Sequence, residues 1–563
     1  MGDGEHIIIA IDFGTTYSAV AWTCLENAQK IDLISGWPTS GQQPLGTQVP
    51  SEIAYSDHGD AEERLISWGY NLSPRDKTIK WFKLGLETDE VSMFLPSGMD
   101  TVSVTRDYLR AVNAHVMQTI SRRLLATIIQ TARYSYILTV PAIWSDNAKE
   151  RTKRAALEAG FGNGDKVDLT FYSEPETAAV YTLRTMEGIL HHVRLGDKFV
   201  VCDAGGGTVD LISYQLKEID PYLQMEECSM GSGDYCGSSF IDREFEKLFQ
   251  LRMGSAYEGL SISQKQRAVK NFETSKIAFR NDENCPMFQV SIPGISTIPS
   301  AGVREGFFEV SREEMKSLFD PVVSKVLELI QEQIDTQQGK VKFILLVGGF
   351  GESEYLYLRI QDWAAPQNIQ VLQPRDAAMA IVKGAVLRGL EKKVLNSPRS
   401  PKVTRRARRS YGVITCEIFD PEQHLESDAI YEVGSKRKLA QLQVHWFIKA
   451  NQLVDDEETF RYGFSRIFTE LEPWKDVLVS SESPTPPTRV DEQVQYHCVL
   501  KSDLTSLSLR HDFKRHRIDF RSHYYTAEYD LVLSLADNNL TLALSFNGRN
   551  QGLVTVEFDG LPV

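Results

Sequence analysis

Apolar and polar residues follow two different patterns along this chain. From residue 7 to about residue 391, short apolar runs alternate with longer segments in which apolar positions recur at helical spacing. The runs have strand length and cover residues 7–11, 136–140, 199–202 and 343–347. This alternation predicts an α/β fold for the first two thirds of the chain.

Two of the predicted helices carry recognisable start and stop signals. Asp146 precedes the segment NAKERTKRAALEAGF, which Gly160 and Gly162 would end. Ser311 and Glu314 form a capping box before MKSLFDPVVSKVLELIQEQI, in which Pro321 is a candidate kink.

After residue 410, apolar residues alternate with polar ones. Tyr529, Leu531, Leu533 and Leu535 form one such series, and a second series ends at Phe546, before the Asn547-Gly548 turn signal. We therefore predict a β-sandwich-like domain over residues 411–563. Residues 392–410 are basic and contain prolines, and we interpret them as a linker; a solvated connector is favoured over a nuclear-targeting or anion-binding element.

Composition narrows the function classes. The chain has 563 residues and a net charge of -15, which argues against general binding to nucleic acid or to anionic membranes. Its seven cysteines include no C-x-x-C pair, as expected for free thiols in a reducing compartment. No basic leader precedes the first apolar run, and no apolar stretch is long enough to cross a bilayer. These features predict a cytoplasmic location, with the nucleus as the alternative.

One short pattern occurs twice and suggests a chemistry. In IIIAIDFGTTYSAVAW and FVVCDAGGGTVDLISY, an aspartate (Asp12 or Asp203) ends an apolar run and a Gly-rich turn follows. Such turns let backbone N–H groups approach a polyphosphate, and carboxylates beside phosphate imply an intervening hard cation, Mg²⁺ held through water. One Gly-rich turn alone is more often an ordinary tight turn. Two in matched context predict a clamp for metal-bound ATP, and no P-loop signature competes with it.

Several motifs carry a resemblance to a known family. DFGTTYS (12–18), DAGGGTVD (203–210) and LLVGGFGES (345–353) resemble the actin-like ATPase superfamily, which implies two duplicated lobes. The segment ILTVPAIWSDNAKERTKRAALEAGF and the segment SEPETAAVY resemble the heat-shock protein 70 chaperones within it. RDAAMAIVKGAVLRGL followed by RRARRSYGV is similar to the divergent heat-shock 70-kilodalton protein 12 subgroup. The resemblance covers roughly residues 5–391.

The resemblance implies roles for individual residues, with ATP or ADP and Mg²⁺ as cofactors. Catalytic roles fall to Lys83, Glu174, Asp203 and Thr208, with Lys80 as an alternative to Lys83, and a plain surface lysine equally expected for either. Pro141 matches a switch proline, although a proline here could simply end a strand. Asp12 and Asp203 would hold the hydrated metal, and the nucleotide would contact Asp12, Gly14, Thr15, Thr16, Tyr17, Gly205, Gly206, Gly207, Thr208, Glu273, Lys276, Gly348 and Gly349.

The chain also departs from the family pattern. Ile277 and Glu352 stand where the family has basic residues, so the stacking of a guanidinium on adenine is expected to be lost. Phe350, Tyr355 and Arg280 are the candidates to cover the base instead. The family's apolar interdomain linker, helical lid and co-chaperone-binding tail are expected to be missing.

Three functions remain as hypotheses. The first is an ATP-binding, slowly hydrolysing chaperone whose β-rich domain binds unfolded or extended polypeptide, with co-chaperones as further partners. The second is a nucleotide-sensing scaffold that binds one specific protein with little turnover. The third and least favoured is a small-metabolite kinase, because the context of Glu174 resembles the version that activates water.

Overall fold

The computed structural model divides into two compact units, Met1–Pro401 and Lys402–Val563. The structure describes residues 5–28, 30–39, 41, 46–56, 66–73, 76–88, 95, 98–162, 164, 166–186, 192–219, 223–337, 339–395, 403–432, 436–455, 458–505, 507–517, 523–536, 539–550 and 555–557. Within these residues, no helix combines the length and the apolar character needed to cross a membrane.

The first lobe of the first unit is built on a mixed sheet. Its strands are β1 (His6–Phe13), β2 (Tyr17–Cys24), β3 (Asp32–Leu33), β4 (Gln48–Pro50), β5 (Ile53–Tyr55), β6 (Ile66–Trp68), β7 (Arg133–Val140) and β8 (Val167–Ser173). The sheet order is β3-β2-β1-β7-β8, β4 pairs with β2, and β5 and β6 form a separate ladder. The helices that follow in the chain are α1 (Thr101–Ser121), α2 (Ala126–Thr131), α3 (Asp146–Glu158) and α4 (Glu174–Thr185).

The second lobe repeats this plan. Its strands are β9 (Lys198–Ala204), β10 (Val209–Glu218), β11 (Gln224–Glu227), β12 (Ser232–Asp234), β13 (Met287–Ser291), β14 (Val303–Arg304), β15 (Phe307–Ser311), β16 (Val341–Val347) and β17 (Gln370–Leu372). Its helices are α5 (Ser239–Met253), α6 (Ile262–Ala278), α7 (Arg312–Asp335) and α8 (Glu354–Ala364). The last helix of the unit, α9 (Ala380–Leu395), packs on β1, β2 and α4 of the first lobe.

The two lobes share one topology, as the repeated motif predicts. In each lobe an antiparallel hairpin, β1–β2 or β9–β10, is followed across the sheet by two parallel strands, β7–β8 or β16–β17. Asp12 pairs with Ala19 across the first hairpin, and Asp203 pairs with Asp210 across the second. The duplicated aspartates therefore lie at equivalent places, near the end of the first hairpin strand.

The local signals read from the sequence are mostly confirmed. All four predicted apolar runs are buried strands, and Ser311 with Glu314 forms the capping box of α7. That helix runs unbroken through Pro321. In α3 the cap is Ser145, whose hydroxyl accepts the Ala148 N–H at 3.2 Å, and Asp146 is the first helical residue. The prediction was one residue late because both residue types are good N-caps.

The segment predicted to be a linker differs in part from that expectation. Helix α9 extends to Leu395, since neither glycine nor proline occurs between Glu391 and Pro398. Residues Val403–Arg406 form the strand β18. The first unit thus ends later than residue 391, and regular structure resumes before residue 410.

The second unit is made of strands. These are β18, β19 (Ser410–Ile418), β20 (Ala429–Tyr431), β21 (Lys438–Ile448), β22 (Leu453–Val454), β23 (Thr459–Phe468), β24 (Trp474–Ser481), β25 (Gln495–Ser502), β26 (Lys514–Arg517), β27 (His523–Ala536), β28 (Asn539–Phe546), β29 (Arg549–Asn550) and β30 (Thr555–Glu557). One sheet has the order β20-β21-β19-β24-β25-β30, another has the order β23-β27-β28-β29 with β26 on β27, and β18 pairs with β22.

Both sheets contribute to one apolar core. Leu478 and Leu500 of the first sheet are fully buried in the same cluster as Leu533 and Leu544 of the second. The turn at Asn547-Gly548 joins β28 to β29 with positive φ at both residues, 51° and 72°, as the predicted hairpin requires.

Candidate functional site

The turns of the two duplicated hairpins meet at the floor of a cavity of about 250 Å³ between the lobes. A Cβ on Gly206 would lie 2.0 Å from Thr16 Oγ1, and one on Gly207 would lie 2.7 Å from Thr15 Cγ2. Only glycine permits this approach. All the predicted catalytic and nucleotide-contacting residues line this cavity, and Pro141 does not.

The two glycines of LLVGGFGES are not equivalent. Gly348 has φ +87°, and a Cβ there would lie 2.4 Å from both Ala204 O and Asp203 Oδ1. A Cβ on Gly349 would meet nothing within 4 Å. Gly348 is therefore required for the fold at this point, whereas Gly349 leaves open space toward the cavity.

The Gly205–Gly207 turn of the second hairpin is hydrogen-bonded to the segment Gly237–Ser239, which was not predicted from the sequence to belong to the site. The backbone N–H groups of Ser238 and Ser239 donate to the carbonyls of Gly205 and Gly206 at 3.1 and 2.9 Å. Gly237 lies so close to Gly206 that a Cβ would stand 2.5 Å from its carbonyl carbon. The start of α5 thus fixes the shape of the predicted phosphate turn.

Three buried carboxylates lie beside the turns. Asp12 and Asp203 were predicted, and Asp210 was not, although it ends the motif DAGGGTVD and faces Asp203 across the hairpin. Burial, and then the charge of Glu174, raises the pKa of Asp12 and of Asp210 to about 7, and the same two causes raise the pKa of Asp203. Lys83 offsets only part of this rise in pKa, and a bound cation would lower the pKa values further.

The carboxylates fit a hydrated divalent cation. Asp203 Oδ1 and Asp210 Oδ1 are buried and accept no hydrogen bond from the described residues, and buried acceptors in this state favour a nearby cation. No cluster of three or more potential side-chain ligands occurs in the part of the chain that the structure describes. The cation would therefore keep water ligands, as the sequence predicts.

Lys83 lies inside the cavity and Lys80 lies outside it. Lys83 Nζ donates to Glu174 Oε1 at 2.8 Å, with 5% and 7% of the two side chains exposed. Burial alone would lower the pKa of Lys83, but the carboxylates of Glu174 and Asp12 raise it above its ordinary value. Lys80 is 51% exposed and pairs with Glu52 on the surface. Of the two candidates, only Lys83 is placed to contact a bound phosphate.

Two threonines and Pro141 shape the carboxylate end of the cavity. Thr139 donates to Asp12 Oδ1 at 3.3 Å, and Thr208 donates to Asp210 Oδ2 at 3.0 Å. Pro141 follows the last residue of β7, and its carbonyl accepts the N–H of Trp144 at 3.3 Å. The Trp144 ring lies 5.4 Å from Lys83 Nζ. Pro141 thus begins the turn that carries an aromatic ring to the lysine.

Three residues predicted to contact the nucleotide make hydrogen bonds within the protein, and one of these bonds joins the two lobes. The Tyr17 hydroxyl donates to Glu273 Oε1 at 3.0 Å and so joins the first hairpin to α6. Lys276 Nζ donates to both carboxylate oxygens of Asp242 at 2.8 Å. Burial and the Glu273 charge raise the pKa of the Tyr17 hydroxyl. The two lobes are thereby held together at this point.

Of the three residues predicted as candidates to cover the base, Phe350 lines the cavity and Tyr355 and Arg280 do not. Tyr355 and Arg280 were therefore wrong candidates. Tyr355 is 2% exposed and packs against Phe279 and Phe319 inside the apolar core of the second lobe. Arg280 forms an ion pair with Glu354 outside the cavity lining.

Comparison with known proteins places these features in a family. Residues 405–559 match the family model described as Domain of unknown function (DUF8568). Heat shock 70 kDa protein 12A of Homo sapiens is 24% identical, with 89% of this chain and 85% of that protein covered. Heat shock 70 kDa protein 12B of Homo sapiens is 24% identical over 74% of this chain and 72% of its own length.

A bacterial chaperone matches as well. Chaperone protein DnaK of Psychrobacter cryohalolentis is 24% identical, with 69% of this chain and 60% of the DnaK chain covered. These matches, together with the duplicated lobes and the motifs that line their cavity, indicate an actin-like ATPase fold for the first unit. The chain is similar to the heat-shock protein 70 family, and within it to the divergent heat shock 70 kDa protein 12 subgroup.

Proposed function

We propose that this protein binds Mg²⁺-ATP between the two lobes, hydrolyses it slowly, and acts as a chaperone-like ATPase in the cytoplasm. The observation that carries the proposal is the contact between the duplicated turns, Thr15 and Thr16 against Gly206 and Gly207, at the floor of a cavity lined by buried carboxylates. Two opposed turns of this kind present backbone N–H groups and hydroxyls to one polyphosphate.

The residues of the cavity supply the parts that phosphoryl transfer to water needs. The turns and Thr208 would hold the phosphates, and Asp12 and Asp203 would hold the hydrated Mg²⁺, which supplies charge neutralisation when bound. Lys83 Nζ donates to Glu174 Oε1 at 2.8 Å and fixes the position of the carboxylate, which could then orient an attacking water. Positioning and electrostatics account for most of catalysis in this reaction class.

The second candidate function is a nucleotide-sensing scaffold, and the ion pair between Lys83 and Glu174 is the observation that favours it. Lys83 neutralises Glu174, and the described cavity lining offers no histidine as another base. If this ion pair persists with nucleotide bound, ATP hydrolysis would be negligible, and nucleotide binding alone would change the affinity for the partner. A metabolite kinase remains the least favoured alternative.

The partner of the second unit is the other part of the proposal. We propose that this β-rich unit, a β-sandwich-like domain, binds an unfolded or extended polypeptide, with one specific protein as the alternative and co-chaperones as further partners. The similarity to a protein named as a chaperone supports this.

Calorimetric titration of Mg²⁺-ATP and Mg²⁺-ADP, followed by single-turnover hydrolysis on the same samples, tests the proposal. We expect wild type and the control Asp335→Ala, at an exposed position in the last turn of α7, to bind and slowly hydrolyse ATP. Asp203→Ala should lose both activities. Binding without turnover in wild type would favour the scaffold, and no binding by wild type would overturn the proposal.

A further inference from the structure

We propose that the cavity binds nucleoside triphosphates through their phosphates with little discrimination between bases, so that GTP is a ligand as good as ATP. This inference rests on the proposed nucleotide site and specifies its ligand class. It follows from what the polar side chains at one end of the cavity already contact.

The cavity lining contains two chemically different sets of residues. The glycine turns, the threonines and the three aspartates suit phosphate and metal. We assign the base to the other set, which we call the base end: Glu273, Lys276 and Ile277 of α6 and the segment from Gly349 to Ser353. Any recognition of a base edge has to come from these groups.

The polar side chains at the base end are engaged within the protein. Glu273 accepts from Tyr17 at 3.0 Å, and Lys276 donates to both oxygens of Asp242 at 2.8 Å. Glu352, which stands where the family has an arginine, accepts the backbone N–H of Ala378 at 3.0 Å. Ser353 caps α8 by accepting the N–H of Leu356 at 3.3 Å. Hydrogen bonding to a base would have to compete with these existing partners.

The base end also presents an exposed apolar side chain. Ile277 is 70% exposed, and Phe319, Phe350 and Ile381 continue the apolar lining of the cavity. Apolar surface can cover a purine ring, but it gains nearly the same free energy from adenine as from guanine. Apolar contact cannot strongly reject a base of similar shape, whereas a site that hydrogen-bonds its substrate can reject an analogue by about 10⁴- to 10⁵-fold.

Two isoleucines of helix α6 give a matched pair of variants. Ile277 lines the cavity, while Ile262, at the start of the same helix, is 73% exposed and lies outside the cavity lining. Ile277→Arg would place a guanidinium where it can stack on a base, and Ile262→Arg adds the same charge elsewhere on the helix. The difference between the two variants therefore isolates contact with the base from general electrostatic attraction.

The test titrates Mg²⁺-ATP, Mg²⁺-GTP and Mg²⁺-tripolyphosphate into the full chain. We expect the Kd values for ATP and GTP to agree within about tenfold, since neither base edge is read. Ile277→Arg should tighten both nucleotides several-fold more than tripolyphosphate, and Ile262→Arg should not. A preference for ATP over GTP of 100-fold or more would overturn this inference and leave the proposed function standing. No binding of any of the three would overturn both.

Discussion

At the scale of single residues, Lys80 and Lys83 are close in sequence but differ strongly in burial, so their substitution should have very different effects. Lys83→Met would leave the Glu174 carboxylate buried without its partner, which costs about 3–5 kcal/mol when a buried pair is broken. We expect a lower free energy of unfolding and loss of single-turnover hydrolysis. Lys80→Met removes an exposed partner of Glu52 and should change stability by less than about 1 kcal/mol. Urea unfolding and hydrolysis of both variants check this, and equal effects would contradict it.

The second prediction at this scale concerns how the free energy of unfolding depends on pH through Asp12 and Asp210. Their pKa is about 7 in the folded protein and about 3.8 when unfolded. Between these values the folded state holds protons that the unfolded chain has released. The free energy of unfolding contributed by these groups is therefore fully present below pH 4 and is lost as the pH rises through 7.

Asp210→Asn tests this in the nucleotide-free protein, because the amide does not titrate. We expect the fall in Tm between pH 5 and pH 7.5 to be smaller in Asp210→Asn than in wild type or in the exposed control Asp335→Asn. An unchanged slope would show that Asp210 is ionised in the folded protein throughout this range.

At the scale of secondary structure, α9 holds α4 and hence the position of Glu174. Gly384 of α9 packs so closely that a Cβ would lie 1.8 Å from the Thr177 carbonyl oxygen. Arg388, 2% exposed, donates from Nε to Glu176 Oε1 at 3.1 Å. Since α4 begins at Glu174, this contact fixes the first turn of the helix that carries the candidate catalytic carboxylate.

Arg388→Met should therefore be strongly destabilising. It removes the cation that pairs with both Glu176 and Glu391, at a cost of about 3–5 kcal/mol, while the double variant Arg388→Met, Glu176→Met should recover the part of the loss that comes from Glu176. The exposed pair Lys247–Glu244 on α5 supplies the control, for which Lys247→Met should cost less than about 0.5 kcal/mol. A double-mutant cycle from urea unfolding measures the coupling, and no recovery in the double variant would contradict it.

The elements also show what can and cannot be predicted from sequence. The four strands, the capping box of α7 and the Asn547-Gly548 turn depend on neighbouring residues, and these predictions were confirmed. Asp210 was missed because its role depends on pairing across a hairpin. The Arg388–Glu176 contact joins residues 212 positions apart, and no local pattern indicates it. Tyr355 was misplaced for the same reason, since only the folded lobe shows that its ring packs inside.

At the scale of the whole molecule, each unit has apolar cores of its own. The clusters around the sheets of the first unit and the cluster formed by both sheets of the second contain no common residue. The composition of the basic stretch predicted a connector there, but composition could not show that a helix continues into it and a strand begins within it. Separate cores are the physical basis for separate unfolding.

We therefore expect calorimetry to show two unfolding transitions, only one of which responds directly to nucleotide. A ligand that binds one folded unit stabilises it by RT ln(1 + [L]/Kd), about 2.7 kcal/mol at a free concentration 100 times Kd. Mg²⁺-ATP should raise the transition of residues 1–401, identified by hydrogen exchange and mass spectrometry, and leave that of residues 402–563 nearly unchanged. Asp203→Ala should abolish the shift. A single transition that moves as a whole would mean that the two units unfold as one cooperative body.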